Sequence, residues 1–166
     1  MDLAPYIRNV PDFPKPGIQF KDITTLLAST EAFGYVIDTW KKRYAGKNIT
    51  AIAATDARGF IFGGALAYAM QLPFVPVRKK GKLPPPVVDI AYDLEYGAGV
   101  LEMQPGSGRL LLIDDVLATG GTLLAAAPLC ELAGYAVTSI GVLIDIGLIK
   151  NFSWRDQPAR TVIHYE

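Results

Sequence analysis

An unbroken apolar run, Leu110-Leu111-Leu112-Ile113, leads straight into Asp114-Asp115-Val116-Leu117-Ala118-Thr119-Gly120-Gly121-Thr122. No other feature of the chain restricts its fold as much. A run with no polar face is buried on both sides, the habit of a strand inside a parallel sheet. Residues 109–113 therefore read as a strand that ends at Ile113, and residues 121–133 as a helix closed by Gly134. Backbone N–H groups gathered at the start of such a helix, at the positive end of its dipole, form an anion site. Gly120 and Gly121 let a ligand approach the backbone, Ala118 leads into the turn, and Thr119 and Thr122 add hydroxyl donors. A phosphate fits these donors. Asp114 and Asp115 would repel it, but they suit the two vicinal hydroxyls of a ribose and a positive charge developing beside them. Gly-x-Gly-x-x-Gly is absent and no Lys precedes Thr122, so this is neither a dinucleotide fingerprint nor a Walker loop.

The rest of the chain alternates in the same way. Residues 49–54, 74–78 and 137–146 read as further apolar strands, residues 59–71 as a small-residue helix, and residues 161–165 as a short last strand. Residues 87–92 and 100–103 read as a strand pair around Glu95-Tyr96-Gly97. Phe33, Val36, Ile37, Trp40 and Tyr44 recur at helical spacing after a cap at Ser29 or Thr30, with Glu31 in the first turn. The fold class is α/β, a mostly parallel central sheet with helices on both faces. Ahead of it, the proline- and aromatic-rich residues 10–20 predict an irregular arm packed on the domain. We expect one domain over residues 1–166, with an arm over 1–30, a core over 31–166 and a flexible loop over about 79–97. Pro128, inside the last helix, should kink it.

Bulk properties exclude several function classes. Lys+Arg and Asp+Glu both number 16, so the basic excess that nucleic acid or an anionic membrane surface requires is missing. The lone Cys130 permits neither an intrachain disulfide nor a cysteine-rich zinc site, and the lone His164 is given no role. With no basic flank and apolar run at the start and no span-length apolar stretch, a cytoplasmic protein is expected.

The segment from Leu112 to Thr122 resembles the phosphoribosyl pyrophosphate motif of the type I phosphoribosyltransferases. Three more segments narrow the resemblance to the adenine phosphoribosyltransferases. They are Pro11-Asp12-Phe13-Pro14-Lys15-Pro16-Gly17-Ile18-Gln19-Phe20-Lys21-Asp22-Ile23, then Asp56-Ala57-Arg58-Gly59-Phe60, and Arg78-Lys79-Lys80-Gly81-Lys82-Leu83-Pro84 leading to Tyr92-Asp93-Leu94-Glu95-Tyr96-Gly97. They follow the family's order and spacing from about Val10 to Ile146.

The resemblance implies a type I phosphoribosyltransferase fold with a small N-terminal hood arm. It implies adenine and phosphoribosyl pyrophosphate as substrates and AMP as product, in purine salvage. It assigns the ribose phosphate to Asp114, Asp115, Ala118, Thr119, Gly120, Gly121 and Thr122, and the pyrophosphate to Arg58, Arg78, Lys79 and Lys82. Adenine falls between Phe20 and Val116, its edge read by main chain near Gln19 and Lys21; Glu95 exchanges a proton with the base, and Tyr96 lies in the closing loop. Magnesium is the implied cofactor, held mainly by the substrate's oxygens rather than by protein ligands, and a homodimer shares the basic loop. Read without the resemblance, residues 79–82 are a solvated basic loop, Glu95 a surface carboxylate, and Phe20 fits core packing as well as stacking. Two departures stand out: a short link between Met103 and Arg109, and no Gly-Arg after Asp145. They predict altered loops with activity retained. The alternatives are a phosphoribosyltransferase for another base and a non-catalytic sensor of the sugar pyrophosphate.

Overall fold

The computed structural model describes residues 1–94 and 97–165. After a 3-10 turn at Ala4–Tyr6 come strands β1 (Arg8–Pro11) and β2 (Gln19–Asp22), and helices α1 (Thr24–Leu27) and α2 (Thr30–Tyr44). Then follow β3 (Ala51–Thr55), α3 (Arg58–Met70), β4 (Phe74–Lys79), β5 (Val88–Leu94), β6 (Gly97–Met103) and β7 (Gly108–Leu117). Helix α4 (Gly121–Leu132), β8 (Tyr135–Asp145), β9 (Ser153–Trp154), β10 (Gln157–Pro158) and β11 (Arg160–His164) complete the order.

Seven strands form one sheet in the order β11-β8-β7-β3-β4-β6-β5. It is parallel from β11 to β4 and antiparallel only where β6 and β5 extend it. The apolar run of β7 serves both faces, as its lack of a polar side requires. Leu110 and Leu112 pack with Leu123, Ala126 and Leu129 of α4. Leu111 and Ile113 pack with Val36 and Trp40 of α2 and with Phe62 and Leu66 of α3. Each such side chain gains roughly 1.5–3 kcal/mol from full burial. Helix α2 is fixed at its start by Ser29, whose Oγ accepts from the Ala32 N–H at 3.2 Å. Lys41, Lys42 and Arg43 in its last turn oppose the negative end of its dipole. The α/β class and the mostly parallel sheet are thus as the apolar pattern predicts. No helix among the described residues is long and apolar enough to cross a membrane.

Two local expectations are corrected. The arm is not irregular: β1 and β2 pair antiparallel from Arg8↔Asp22 to Pro11↔Gln19. Its prolines stay out of the ladder's interior, Pro11 at a strand end and Pro14 and Pro16 in the turn, which Asp12 Oδ1 closes by accepting from Gly17 N at 2.7 Å. Strand β7 does not stop at Ile113, because β8 accompanies it through Asp114↔Val142 to Leu117↔Asp145. Helix α4 continues through Pro128 as one element. The small β9–β10 hairpin turns at Arg155 and Asp156, both at positive φ, where a sequence reading looks for Asn or Gly. The short link after Met103 is tied down where Gly106 N donates to Ala133 O at 2.8 Å, against the end of α4.

Strand β3 stops pairing with β7 at Ala54↔Ile113, four residues before β7 itself ends at Leu117. From there α3 turns to one face of the sheet and α4 to the other. Adjacent parallel strands whose helices diverge leave a crevice at their C-terminal ends, where open α/β sheets bind ligands.

Candidate active site

Asp114 and Asp115 stand at that crevice on the flank that β3 has vacated, and the start of α3 fills the gap. They are only 8 % and 5 % exposed, where an acidic turn would be solvated. Arg58, the first residue of α3, brings Nε to 2.7 Å from Asp115 Oδ2. That oxygen has no aligned N–H donor, so the contact is an ion pair without a hydrogen bond. The Asp115 N–H donates to Asp114 Oδ1 at 2.8 Å. Gly59 makes the close approach possible: a methyl group there would lie 3.1 Å from both Asp114 Oδ1 and Thr55 Oγ1. Burial, and then the charge of Asp115, pushes the Asp114 carboxyl up to about 8. Burial also raises Asp115, with the Arg58 charge opposing it. At neutral pH the pair therefore holds about one proton between its two carboxylates.

Beyond β7 the chain wraps a cavity of about 60 Å³ lined by Asp114, Val116, Ala118, Thr119, Gly120, Gly121, Thr122 and Leu123. Every residue predicted to hold the ribose phosphate except Asp115 lines it, and Val116 joins them. Gly120 caps α4 at φ +76, a left-handed conformation that a side chain resists, and its outer side is closed by Phe152 and Ile149. The first N–H groups of α4 have no partner within the helix, which leaves them free for a ligand. Larger hollows lie elsewhere, one of about 530 Å³ bordered by Asp145, Phe152 and His164 and one of about 380 Å³ bordered by Arg8, Val10, Phe13, Phe20 and Asp22. Volume does not pick the site here. The converging donors and the buried acids do.

The other predicted residues approach from two sides. In the N-terminal hairpin, the Phe20 ring lies 5.2 Å from the Arg58 guanidinium carbon, so Arg58 bridges the arm and Asp115. Phe13 meets Phe20 edge-on at 5.1 Å. Gln19 Oε1 accepts from Asn9 at 3.0 Å, and Lys21 Nζ sits 3.8 Å over the Tyr165 ring, so neither side chain turns to the crevice. At the end of β4, Arg78 Nε donates to Asp56 Oδ2 at 3.3 Å, and the Lys79 N–H reaches the same oxygen at 3.4 Å. Lys79 and Lys82 are exposed. Glu95 and Tyr96 lie outside the described residues.

Four contributors escaped the sequence reading. Asp56 holds Arg78, Thr55 flanks Asp114, and Phe152 with Ile149 backs Gly120. Asp56 and Gly59 stood in a quoted motif, but only its arginine carried an obvious charge for a phosphate. Phe152 and Ile149 are distant in sequence and gave no signal.

The model of the phosphoribosyl transferase domain family matches residues 25–150. The adenine phosphoribosyltransferase of Bdellovibrio bacteriovorus is 44 % identical over 165 residues, 99 % of this chain and 100 % of that protein. The crystal structure of adenine phosphoribosyltransferase from Thermoanaerobacter pseudethanolicus superposes with a TM-score of 0.88 at 40 % identity, covering 98 % of each chain. The Saccharomyces cerevisiae adenine phosphoribosyltransferase, crystallised with an imino-altritol bisphosphate and adenine, superposes with a TM-score of 0.87 at 30 % identity, covering 97 % of this chain and 95 % of that one.

Proposed function

The chain belongs to the adenine phosphoribosyltransferase family, and we propose that it makes AMP and pyrophosphate from adenine and 5-phosphoribosyl 1-pyrophosphate, a purine-salvage transfer. One observation carries this reading: a phosphate-sized cradle, a buried acid pair and the cation Arg58 meet at one crevice.

In this scheme the cradle at residues 118–122 takes the 5′-phosphate through backbone N–H groups and the Thr119 and Thr122 hydroxyls. Asp114 and Asp115 accept from the ribose hydroxyls and face the sugar carbon as it gains oxocarbenium character. The purine nitrogen forms its bond to that carbon while the carbon–oxygen bond to pyrophosphate breaks, its electron pair leaving on the pyrophosphate. The proton lost from the imidazole side of adenine goes to Glu95, a carboxylate in the segment that joins β5 and β6. Arg58, Arg78, Lys79 and Lys82 receive the leaving group, which draws Arg58 from its ion pair with Asp115. Phe20 stacks on the base with Val116 opposite, main chain near Gln19 and Lys21 reads its edge, and Tyr96 travels with the closing loop.

Magnesium held mainly by the substrate's oxygens fits this site, because the buried carboxylates of Asp114 and Asp115 would accept hydrogen bonds from its bound water. When bound with the substrate it supplies neutralisation of the pyrophosphate charge. The arm over residues 1–30 serves as the hood of a single domain, and residues 79–97, the loop after β4 together with the edge strand β5, as its closing segment. The active form is a homodimer in the cytoplasm; Ile61 and Tyr68, exposed seven residues apart on α3, offer an apolar stripe to a second copy.

Incubating the purified protein with magnesium, the sugar pyrophosphate and a panel of bases, then separating the nucleotides, tests the reading. AMP from adenine alone is expected. A nucleotide of another base would reassign the substrate, and binding of the sugar pyrophosphate without any product would make the chain a sensor.

A further inference from the structure

Glu102 lies within β6 between the core residues Leu101 and Met103 and is only 2 % exposed. A carboxylate so placed needs its charge met by the protein. Its Oε1 accepts from the backbone N–H of Lys82 at 2.7 Å and of Leu83 at 2.8 Å. Backbone donation, above all from Gly81, holds its pKa below the ordinary carboxylate value against the opposing effect of burial. Three consecutive amides therefore turn inward around one carboxylate, and the Lys82 side chain is left exposed. The turn is gripped from its other side as well. Arg78, which pairs with Glu102 in the β4–β6 register, donates from Nη1 to Lys82 O at 3.3 Å while its Nε holds Asp56. Lys80 is drawn outward to Asp89 at 2.8 Å.

We propose that Glu102 is a positioning residue for the transfer reaction: its carboxylate gathers the amides of residues 81–83 and so holds the basic loop in the form that receives pyrophosphate. This rests on the transferase reading above. Glu102 touches no substrate in this scheme; it acts through Lys82 and Arg78. Among the described residues, its side-chain hydrogen bonds run to the amides of this loop and not to the phosphate cradle, the acid pair or the aromatic arm. Its loss should therefore weaken the grip on the sugar pyrophosphate and leave the grip on adenine alone. A role confined to holding β6 in the sheet would instead lower stability and disturb both substrates together.

The test uses the full chain with Glu102→Gln, which keeps the side chain's volume and one accepting oxygen but removes the charge, and with Glu102→Ala. Steady-state kinetics give KM for each substrate, calorimetry gives sugar-pyrophosphate affinity, and hydrogen exchange follows residues 80–84 in the free protein. For Glu102→Gln we expect about a tenfold rise in KM and Kd for the sugar pyrophosphate, and about tenfold faster exchange at residues 81–83, as loss of a charge-assisted acceptor implies. KM for adenine should stay as in the wild type, and the alanine variant should show the same pattern more strongly. If the alanine variant does not fold, the glutamine variant decides alone. Equal changes in both KM values, or exchange that matches the wild type, would overturn the proposal. A wild type that makes no AMP would refute the transferase reading instead, and the exchange and calorimetry arms would still decide what Glu102 does.

Discussion

Replacing Asp114 with Asn should flatten the pH dependence of stability. In the native protein the Asp114 carboxyl is pushed from its ordinary 3.8 up to about 8, first by burial and then by Asp115. Between those values the folded chain keeps a proton that the unfolded chain releases, so folding stability falls as pH rises. The contribution is fully present below pH 3.8 and lost by about pH 8. A window of roughly four units caps the effect on the order of 5 kcal/mol. Arg58 beside Asp115 pulls the pair toward ionisation, which leaves a working slope of about 1 kcal/mol per pH unit. For a domain of this size that is roughly 2–4 °C in Tm per unit. The check is thermal unfolding by circular dichroism at pH 5, 6, 7 and 8 and fixed ionic strength. Asp22 and Glu102 do not interfere, because backbone hydrogen bonds lower their pKa values and their stabilisation is lost only in more acid solution. The wild-type Tm should fall steadily, while Asp114→Asn should fall less steeply, because only Asp115, raised by burial against the opposing Arg58 charge, still holds a proton on folding. Parallel slopes in the two proteins would refute the idea that a proton is stored on this pair.

Glu95→Gln should lower turnover about 100-fold or more while KM for the sugar pyrophosphate stays near the wild-type value, as steady-state kinetics would show. The double change Asp114→Asn with Asp115→Asn should weaken binding of the sugar phosphate about tenfold by calorimetry, since the charge-assisted acceptors for the ribose hydroxyls are lost together. Gly59→Ala places a methyl group 3.1 Å from Asp114 Oδ1; it should destabilise the fold by about 1–3 kcal/mol in a denaturant titration and reduce activity with it.

Much of this was legible because single residue types have few ways to be satisfied. The run at residues 110–113 could only be a doubly buried strand, and Thr119-Gly120-Gly121-Thr122 after it could only begin a helix. The helical stripe from Phe33 to Tyr44 likewise marked α2 and its buried side. What sequence spacing could not convey was which neighbours run beside a strand. Residues 114–117 remain in the sheet because β8 outlasts β3, and that fact lies in a segment some thirty residues away. The hairpin at β1 and β2 was hidden for a related reason: three prolines argue against regular structure unless they fall at its end and in its turn. Glu102 left a faint trace, a carboxylate inside Val100-Leu101-Glu102-Met103, whose meaning depends on amides twenty residues earlier.

The divergence of α3 and α4 from neighbouring strands has a geometric consequence. The two grips on one substrate, at the ends of β3 and β7, lie on adjacent strands about 4.8 Å apart across the hydrogen-bond ladder, and are offset along it by the four residues by which β7 outruns its pairing with β3. That spacing belongs to the backbone lattice and not to any side chain, so the sheet works as a ruler laid beneath the bond that breaks. Side-chain replacements can alter how firmly each end is held, but they leave the gauge between the ends unchanged.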